Sequence, residues 1–171
     1  MPATAAEVLQ EFELESATTR RVLERVPTDQ LAWKPHPKSR SLGQLALHVA
    51  IGPGLISQWA LRDSMEMPDL GDPPQPTSIT QILDAHDESV RKAKAALSAI
   101  GDTGLGAMWQ LQKDGATVMV LPKSVLIRSL ALNHLYHHRG QLSVYLRLLN
   151  VPVPAIYGPS ADENPMSAAQ T

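Results

Sequence analysis

The feature that most constrains the fold is a run of mostly apolar residues spaced alternately four and three positions apart. The run consists of Ile79, Leu83, His86, Val90, Ala93, Leu97 and Ile100. Residues at this spacing share one side of an α-helix and form the seam through which a helix packs into a bundle. Thr77 or Ser78 can cap the start of this helix. Glycines from Gly101 onward are expected to end it.

Three other segments have the periodicity of bundle helices. They run from about Ala5 to Val26, from about Leu42 to Arg62 and from about Lys123 to Leu149. Gly52-Pro53-Gly54 interrupts the second of them, and we expect a kink or a break there because proline removes a backbone donor. The last segment is the longest and most apolar, which favours a central place in the bundle.

A short hairpin is predicted before the last helix. Met108–Gln112 and Thr117–Leu121 flank Lys113-Asp114-Gly115, and Asp-Gly between such runs favours a tight turn. Residues 151–171 are rich in Pro, Ser and Ala and are expected to form an irregular tail. A chain of 171 residues is expected to be one domain, 1–171. The predicted fold is all-α: a four-helix bundle with a small β-hairpin connector.

Charge and cysteine content exclude several classes of function. The chain has 15 Lys and Arg against 17 Asp and Glu, a net charge of -2, which argues against nucleic-acid binding through a basic face. It has 0 Cys, which excludes disulfides, thiolate metal sites and a cysteine nucleophile of its own. Any metal or acid–base chemistry near neutral pH therefore falls to carboxylates and the 6 His.

No targeting or membrane segment is expected. The first residues lack the basic start and apolar run of a signal peptide, so a cytoplasmic location is predicted. Residues 41–61 contain no Asp, Glu, Lys or Arg, but they include His48, Pro53 and several glycines and glutamines. Such a stretch is too polar and too broken for a lone membrane span, and a buried bundle helix explains it better.

Two histidines on the last helix are separated by one helical turn. At about 100° per residue, His134 and His138 fall on the same side of the helix, within its most apolar face. Two imidazoles on a buried face need partners for their ring nitrogens. Either a divalent metal ion satisfies both rings, or both are core histidines that hydrogen-bond to neighbouring helices.

The other four histidines have different prospects as ligands. His48 lies in the middle of the second helix and is expected to face the core, where bundle metal sites are built. His86 lies on the seam of the third helix and is a rival ligand. His137 falls near the edge of the apolar stripe, at the rim of a pocket. His36, between two prolines, is expected on the surface.

The motifs around these histidines resemble those of the DinB/YfiT-like superfamily of metalloenzymes, and of its DinB branch in particular. The resemblance covers most of the chain. Three segments carry it: residues 31–35 leading into Ser41–His48, His134–Leu142, and Val153–Glu163. The first and second motifs are fairly specific in combination, whereas either alone is weak.

The resemblance implies a four-helix bundle in which His48, His134 and His138 bind one divalent metal ion. It also implies a homodimer, and a reaction of the kind carried out by relatives that use low-molecular-weight thiols. The expected function is that of a metal-dependent enzyme, either a thiol-dependent S-transferase or a metal-activated hydrolase. A non-catalytic metal-binding or interaction module is the alternative. Imidazole ligands suit Zn, Ni or Fe.

Several neighbours of the three histidines are candidate pocket residues. Gln141 could orient a ligand ring, as residues behind a metal site commonly do. Tyr145 lies two turns after His138 and could bind substrate, and Trp59 lies three turns after His48 and could line the pocket. For both aromatics, core packing is the other interpretation. No general base is evident: the glutamates of the first helix are expected to be solvated.

Overall fold

Four long helical segments form a bundle in the computed structural model, which describes residues 3–69 and 71–166. The first three helices are α1 (Ala5–Leu23), α2 (Leu42–Ala60) and α3 (Ile79–Gly106). The last segment consists of α4 (Lys123–Leu126), a π-helix (Ile127–Asn133) and α5 (His134–Leu148). A short 3₁₀ turn, Thr28–Gln30, follows α1. The predicted four-helix bundle is therefore confirmed.

Helix α1 begins at a capping box and ends slightly earlier than predicted. The Thr4 side chain accepts a hydrogen bond from the Glu7 main chain, and the Glu7 carboxylate accepts one from the Thr4 N–H. The helix ends at Leu23 rather than Val26, because residues just before Pro27 are disfavoured in helical conformation. Its apolar stripe, which includes Val8 and Phe12, is buried as expected.

Helix α2 is not broken at Pro53. It remains one helix from Leu42 to Ala60 with Pro53 inside it. The neighbouring helix α3 supplies a compensating polar group: Ser89 Oγ accepts a hydrogen bond of 2.8 Å from the Gly54 N–H and donates one of 3.3 Å to the Ile51 carbonyl. None of the described helices, α2 included, is long and apolar enough to cross a membrane.

The same contact makes Gly54 intolerant of a side chain. A Cβ atom at Gly54 would lie 2.6–2.7 Å from Ser89 atoms, including its main chain, so α2 and α3 would have to separate. We expect Gly54→Ala to lower the free energy of unfolding by about 1–3 kcal/mol, measured by urea denaturation. The control is Gly140→Ala, since nothing lies within 4 Å of a Cβ at that exposed helical position. This change should stabilise the protein by about 0.5–1 kcal/mol. Equal effects of both changes would contradict the close approach.

Helix α3 starts where expected but extends beyond its predicted end. Ser78 is the N-cap, and its side chain accepts a hydrogen bond from the Gln81 N–H. Gly101 has a φ of 58°, outside the helical range, yet the helix resumes and continues to Gly106. Glycine adopts this conformation without the steric penalty of a Cβ. Gly101 therefore ends the regular helix near the predicted position, and a kink joins it to a further helical stretch.

The predicted hairpin is present and carries a third strand. β2 (Met108–Lys113) and β3 (Ala116–Pro122) pair antiparallel around Asp114 and Gly115, both of which have positive φ. This is the conformation that Asp-Gly turns favour. The sequence did not indicate β1 (Ser64–Glu66), which pairs parallel to β2. Trp109 of β2 is 1% exposed and anchors the sheet to the bundle.

The core is divided into two apolar clusters along the last helical segment. Leu126, Ile127, Ala131 and Leu132 belong to one cluster, together with Val8, Phe12 and Trp109. Leu135, Leu142 and Leu146 belong to the other, together with the first half of α2. Tyr136 packs against both. The change from one cluster to the other therefore coincides with the end of the π-helix.

The tail after α5 returns to the bundle. Residues 151–166 form no helix or strand, and residues 167–171 of the predicted tail lie outside the described part. Two ion pairs attach the tail: Glu163 pairs with Arg21 of α1, and Asp162 pairs with Arg147 of α5. The tail therefore lies against α1 and α5.

Candidate metal centre

The structure brings together the three histidines that the motifs single out. His48 projects from α2, and His134 and His138 project from α5. The ring centroids are 4.3 Å apart for His134 and His138, 4.5 Å for His48 and His138, and 5.0 Å for His48 and His134. One nitrogen from each ring lies within 4.8 Å of the other two. Among the described residues, this is the group of side chains arranged to hold a metal ion.

One ring nitrogen in this cluster is buried without a partner. Nε2 of His48 makes no hydrogen bond within the described part of the chain. A buried polar atom without a partner is costly, by about 1–3 kcal/mol, and such atoms are rare in folded proteins. The nearby Nε2 atoms of His134 and His138 are only 2.8 Å apart. Three nitrogens therefore converge where no protein group satisfies all of them.

The environment keeps the three rings neutral at pH 7. Burial lowers the pKa of His48 and of His138 to about 4, and it also lowers the pKa of His134. A neutral imidazole has a lone pair on one nitrogen, which is the form that binds a metal ion. The cluster is thus prepared to donate three nitrogen lone pairs without first releasing protons.

Gln141 selects which nitrogen of His138 faces the cluster. Its Oε1 lies 2.7 Å from Nδ1 of His138. An amide oxygen only accepts hydrogen bonds, so Nδ1 carries the proton and Nε2 retains the lone pair. The carboxamide therefore orients the ring with Nε2 toward His48 and His134, as groups behind metal ligands commonly do.

The donor set fits a divalent metal ion. For zinc, nitrogen–metal distances of about 2.0–2.1 Å in tetrahedral geometry place two ligand nitrogens about 3.3 Å apart. The distances between the ring nitrogens in this cluster range from 2.8 Å to at most 4.8 Å, and this range includes 3.3 Å. Catalytic zinc sites with three histidine ligands keep a fourth coordination position for water or substrate.

Loss of the Gln141 contact should weaken metal binding without abolishing it. We expect Gln141→Leu to lower the affinity for Zn²⁺ by about 10-fold, because His138 loses the group that fixes its tautomer. Competition with a fluorescent chelator measures the affinity. Gln141→Glu is the matched control, since it keeps an acceptor oxygen and should bind at least as tightly as the wild type. Unchanged affinity in the leucine variant would show that the contact has no orienting role.

The remaining histidines lie outside the cluster. His86 is 5% exposed and lies between α3 and α1, with Nδ1 3.3 Å from an oxygen of Asp87. His36 is exposed in its loop, and its Nδ1 accepts a hydrogen bond from the Lys38 N–H. His137 is exposed, with its ring centroid 4.8 Å from that of His138. His137 is thus beside the cluster, whereas His86 and His36 are apart from it.

The two candidate aromatic residues take up different positions. Tyr145 packs edge-on against Trp33, with 5.6 Å between ring centroids, and its hydroxyl donates a 3.5 Å hydrogen bond to the Arg40 carbonyl. Trp59 packs against the apolar cluster around Phe12 and does not line the cavity beside the histidines. Gly52, Pro53 and Leu130 form the apolar wall of that cavity.

The histidine pair lies at the edge of the buried face of α5, not at its centre. The buried positions are Leu135, Arg139, Leu142 and Leu146. A helix turns about 100° per residue, so the mean direction of these four side chains lies about 70° from that of His138 around the helix axis. Sequence periodicity placed both histidines within the most apolar face and therefore missed Arg139, which is 1% exposed. The edge position leaves the cluster accessible from one side.

Arg139 is held by a buried network that the sequence did not indicate. Its Nη2 donates to Glu15 Oε2 at 2.5 Å and to the Tyr157 hydroxyl at 2.6 Å. Its Nη1 donates to Thr19 Oγ1 at 3.1 Å. The sequence shows that Glu15 and Thr19 of α1 are polar. Only the packing of α1, α5 and the tail shows that these side chains contact Arg139.

Three glutamates of α1 each pair with a basic side chain, although Glu13 is exposed as expected. Glu11 accepts two hydrogen bonds from Arg128, of 2.6 and 2.7 Å, which hold the pKa of its carboxyl below the usual value. Glu15 is bound to Arg139, and Glu13 forms an ion pair of 2.5 Å with Lys94. None of the three belongs to the histidine cluster.

The fold and the site define a class of helical-bundle proteins with a three-histidine cluster compatible with metal binding. The sequence profile of the DinB family matches residues 1–167. The chain belongs to the DinB family.

Two proteins of Bacillus subtilis and one of Bacillus cereus are similar to this chain. The uncharacterised protein YrdA of Bacillus subtilis is 26% identical over 160 residues, which cover 91% of this chain and 89% of YrdA. The crystal structure of a DinB-like protein from Bacillus cereus ATCC 10987 has a TM-score of 0.73 and 26% identity, covering 92% of this chain and 100% of that one. The DinB-like protein YjoA of Bacillus subtilis, at 19% identity and a TM-score of 0.67, covers 87% of this chain and 96% of its own.

Proposed function

We propose that this protein binds one divalent metal ion through His48, His134 and His138 and uses it in a thiol-dependent S-transferase reaction. The observation that carries the metal site is the buried Nε2 of His48, which lacks a partner beside two further imidazole nitrogens. A metal ion satisfies all three nitrogens at once, and imidazole suits Zn, Ni or Fe.

A divalent ion held by three neutral ligands keeps its full charge and, when bound, lowers the pKa of a coordinated thiol or water toward neutrality. In the transfer reaction a thiol RSH and an electrophile R′X give RSR′ and HX. The S–C bond forms, the C–X bond breaks with its electron pair leaving on X, and the thiol proton ends on X. The chain has 0 Cys, so the thiol is a separate molecule.

The protein's own residues have positioning roles in this proposal. Gln141 fixes the tautomer of His138 through the 2.7 Å contact. Gly52, Pro53 and Leu130 form an apolar wall beside the histidines and exclude water from that side. None of the glutamates of α1 belongs to the cluster, so the proposal assigns no carboxylate base.

Metal analysis of protein purified without a His tag tests the first part of the proposal. We expect one equivalent of a divalent metal per chain, and a melting temperature that falls on chelation and recovers when Zn²⁺ is added. An apoprotein whose melting temperature ignores added metal would contradict the metal site and favour a non-catalytic interaction module.

A screen of thiols with electrophilic acceptors tests the reaction. Loss of free thiol and formation of the thioether should require both the metal and the three histidines. A metal-loaded protein that consumes no thiol but hydrolyses esters or amides would replace the transferase with the hydrolase. A metal-loaded protein that does neither would leave a structural metal site.

A further inference from the structure

The cavity beside the histidine cluster is too small to hold a whole substrate. It encloses about 10 Å³, which is room for little more than one ion or one water molecule. A metal ion with a single donor atom would fill this space. The rest of any molecule held there must therefore lie outside the cavity, over the residues that connect it to the protein surface.

Two apolar residues connect this cavity to the surface. Gly52 lies one turn after His48 on α2, and Leu130 lies about one turn before His134 in the π-helix. Both line the cavity and both are accessible to solvent, with Leu130 37% exposed, whereas the other apolar lining residues are buried. A Cβ atom added to Gly52 would meet no atom within 4 Å. Open space over Gly52, with Leu130 across from it, therefore forms what we call the Gly52–Leu130 surface.

The surroundings of this surface are apolar. Among the described residues that line the cavity, the three histidines are the polar ones. The charged neighbour Arg128, two residues before Leu130, is directed toward α1, where Glu11 accepts its hydrogen bonds of 2.6 and 2.7 Å. Gln141 lies beyond His138, on the far side of the cluster from Leu130 along the helix. The cluster therefore has an apolar side and a polar side.

We propose that the electrophile handled at the three-histidine centre carries an aliphatic group, which lies on the Gly52–Leu130 surface. Each methylene group that is fully buried there gains about fourfold in affinity. A charged group would lose its hydration at this surface without finding a partner. The inference rests on the proposed function and adds the substrate class: in the transfer reaction, R′ of the electrophile R′X is aliphatic.

Two probes with the same metal-binding group and different tails test this surface without any turnover. The Zn²⁺-loaded protein is titrated calorimetrically with acetohydroxamate and with hexanohydroxamate, whose tail has four additional methylene groups. Each half-buried methylene group contributes about twofold, so we expect the longer probe to bind about 10–20-fold more tightly. Because both probes bind zinc through the same hydroxamate, the ratio of their dissociation constants reports on the contacts of the tail.

Two variants assign the preference to this surface. Gly52→Gln fills the open space with a polar side chain, and α2 should stay folded because the new Cβ meets no atom and glutamine favours a helix. Leu130→Asn removes the apolar contact on the other side. In each variant the ratio of the two dissociation constants should fall below about 3, while the affinities for Zn²⁺ and acetohydroxamate change by less than about twofold. Leu55→Asn is the matched control and should keep the full ratio, because Leu55 is an exposed leucine of α2 that lines the groove toward α3.

The outcomes separate the inference from the proposed function. Equal affinity of both hydroxamates in the wild type would overturn the aliphatic substrate class while leaving the metal site intact. A preference that survives in both Gly52→Gln and Leu130→Asn, or that is lost equally in Leu55→Asn, would also overturn it, since the tail would then lie elsewhere. Failure to bind Zn²⁺, or Zn²⁺ binding with no affinity for either hydroxamate, would remove the proposed function and the inference together.

Discussion

Replacing His48 by alanine is expected to lower the affinity for Zn²⁺ by more than about 100-fold. His48 is the histidine that α2 contributes to the cluster, so its loss leaves only the His134–His138 pair on α5. Substitution of a residue that hydrogen-bonds to a metal ligand typically lowers metal affinity by about 10–100-fold. Loss of a direct ligand should lower the affinity by more than that. Equilibrium competition with a chelator measures the affinity, and circular dichroism verifies that the variant is folded.

Two further substitutions serve as controls for the His48 variant. His36→Ala removes an exposed histidine and should bind Zn²⁺ like the wild type. His86→Gln alters a buried histidine outside the cluster and should change stability more than metal affinity. Wild-type affinity in His48→Ala would remove His48 from the ligand set. A large loss in His36→Ala would indicate a second site.

The largest effect on stability is expected for Arg139→Met, at about 3–5 kcal/mol of unfolding free energy. The substitution removes the partner of Glu15, whose side chain is only 14% exposed, and it leaves the Thr19 and Tyr157 hydroxyls without their donor. Breaking a buried ion pair on one side is costly because the remaining charge stays desolvated. Urea denaturation of the metal-free protein measures the change.

A second substitution separates the cost of an unpaired charge from the loss of packing. Adding Glu15→Gln to Arg139→Met should recover part of the lost stability, since the carboxylate left behind is then neutral. Arg147→Ala is the surface control: its ion pair with Asp162 is half exposed, so the change should cost less than about 1 kcal/mol. Similar costs for Arg139→Met and Arg147→Ala would contradict a buried network.

Local sequence signals were sufficient for the helices, and the motifs were sufficient for the composition of the histidine cluster. Apolar spacing identified all four helical segments, and Asp114-Gly115 identified the hairpin turn, because these signals act within a few residues. His48, His134 and His138 were singled out by their motifs, and the structure places them together. Which of them bind metal stays a prediction.

The features that the sequence did not predict depend on contacts between distant segments. Burial of Arg139 requires α1, α5 and the tail to meet, and periodicity on one helix contains no information about that meeting. Continuity of α2 through Pro53 depends on Ser89 of α3, which bonds to the Gly54 N–H. The short strand β1 depends on pairing with β2, since three residues have no intrinsic strand preference strong enough to be recognised.

The π-helix before His134 has a consequence for sequence comparison. A π-helical turn contains more residues than an α-helical turn, so a chain one residue shorter between Ile127 and Asn133 could form a continuous α-helix there. The wider π-helical turn accommodates the extra residue, so such a deletion would leave Ile127 facing nearly the same direction relative to the histidine pair. Related chains are therefore expected to align without a gap from His134 onward and to accommodate any insertion or deletion upstream. The π-helix therefore lets the chain lose one residue before His134 without rotating the histidine pair.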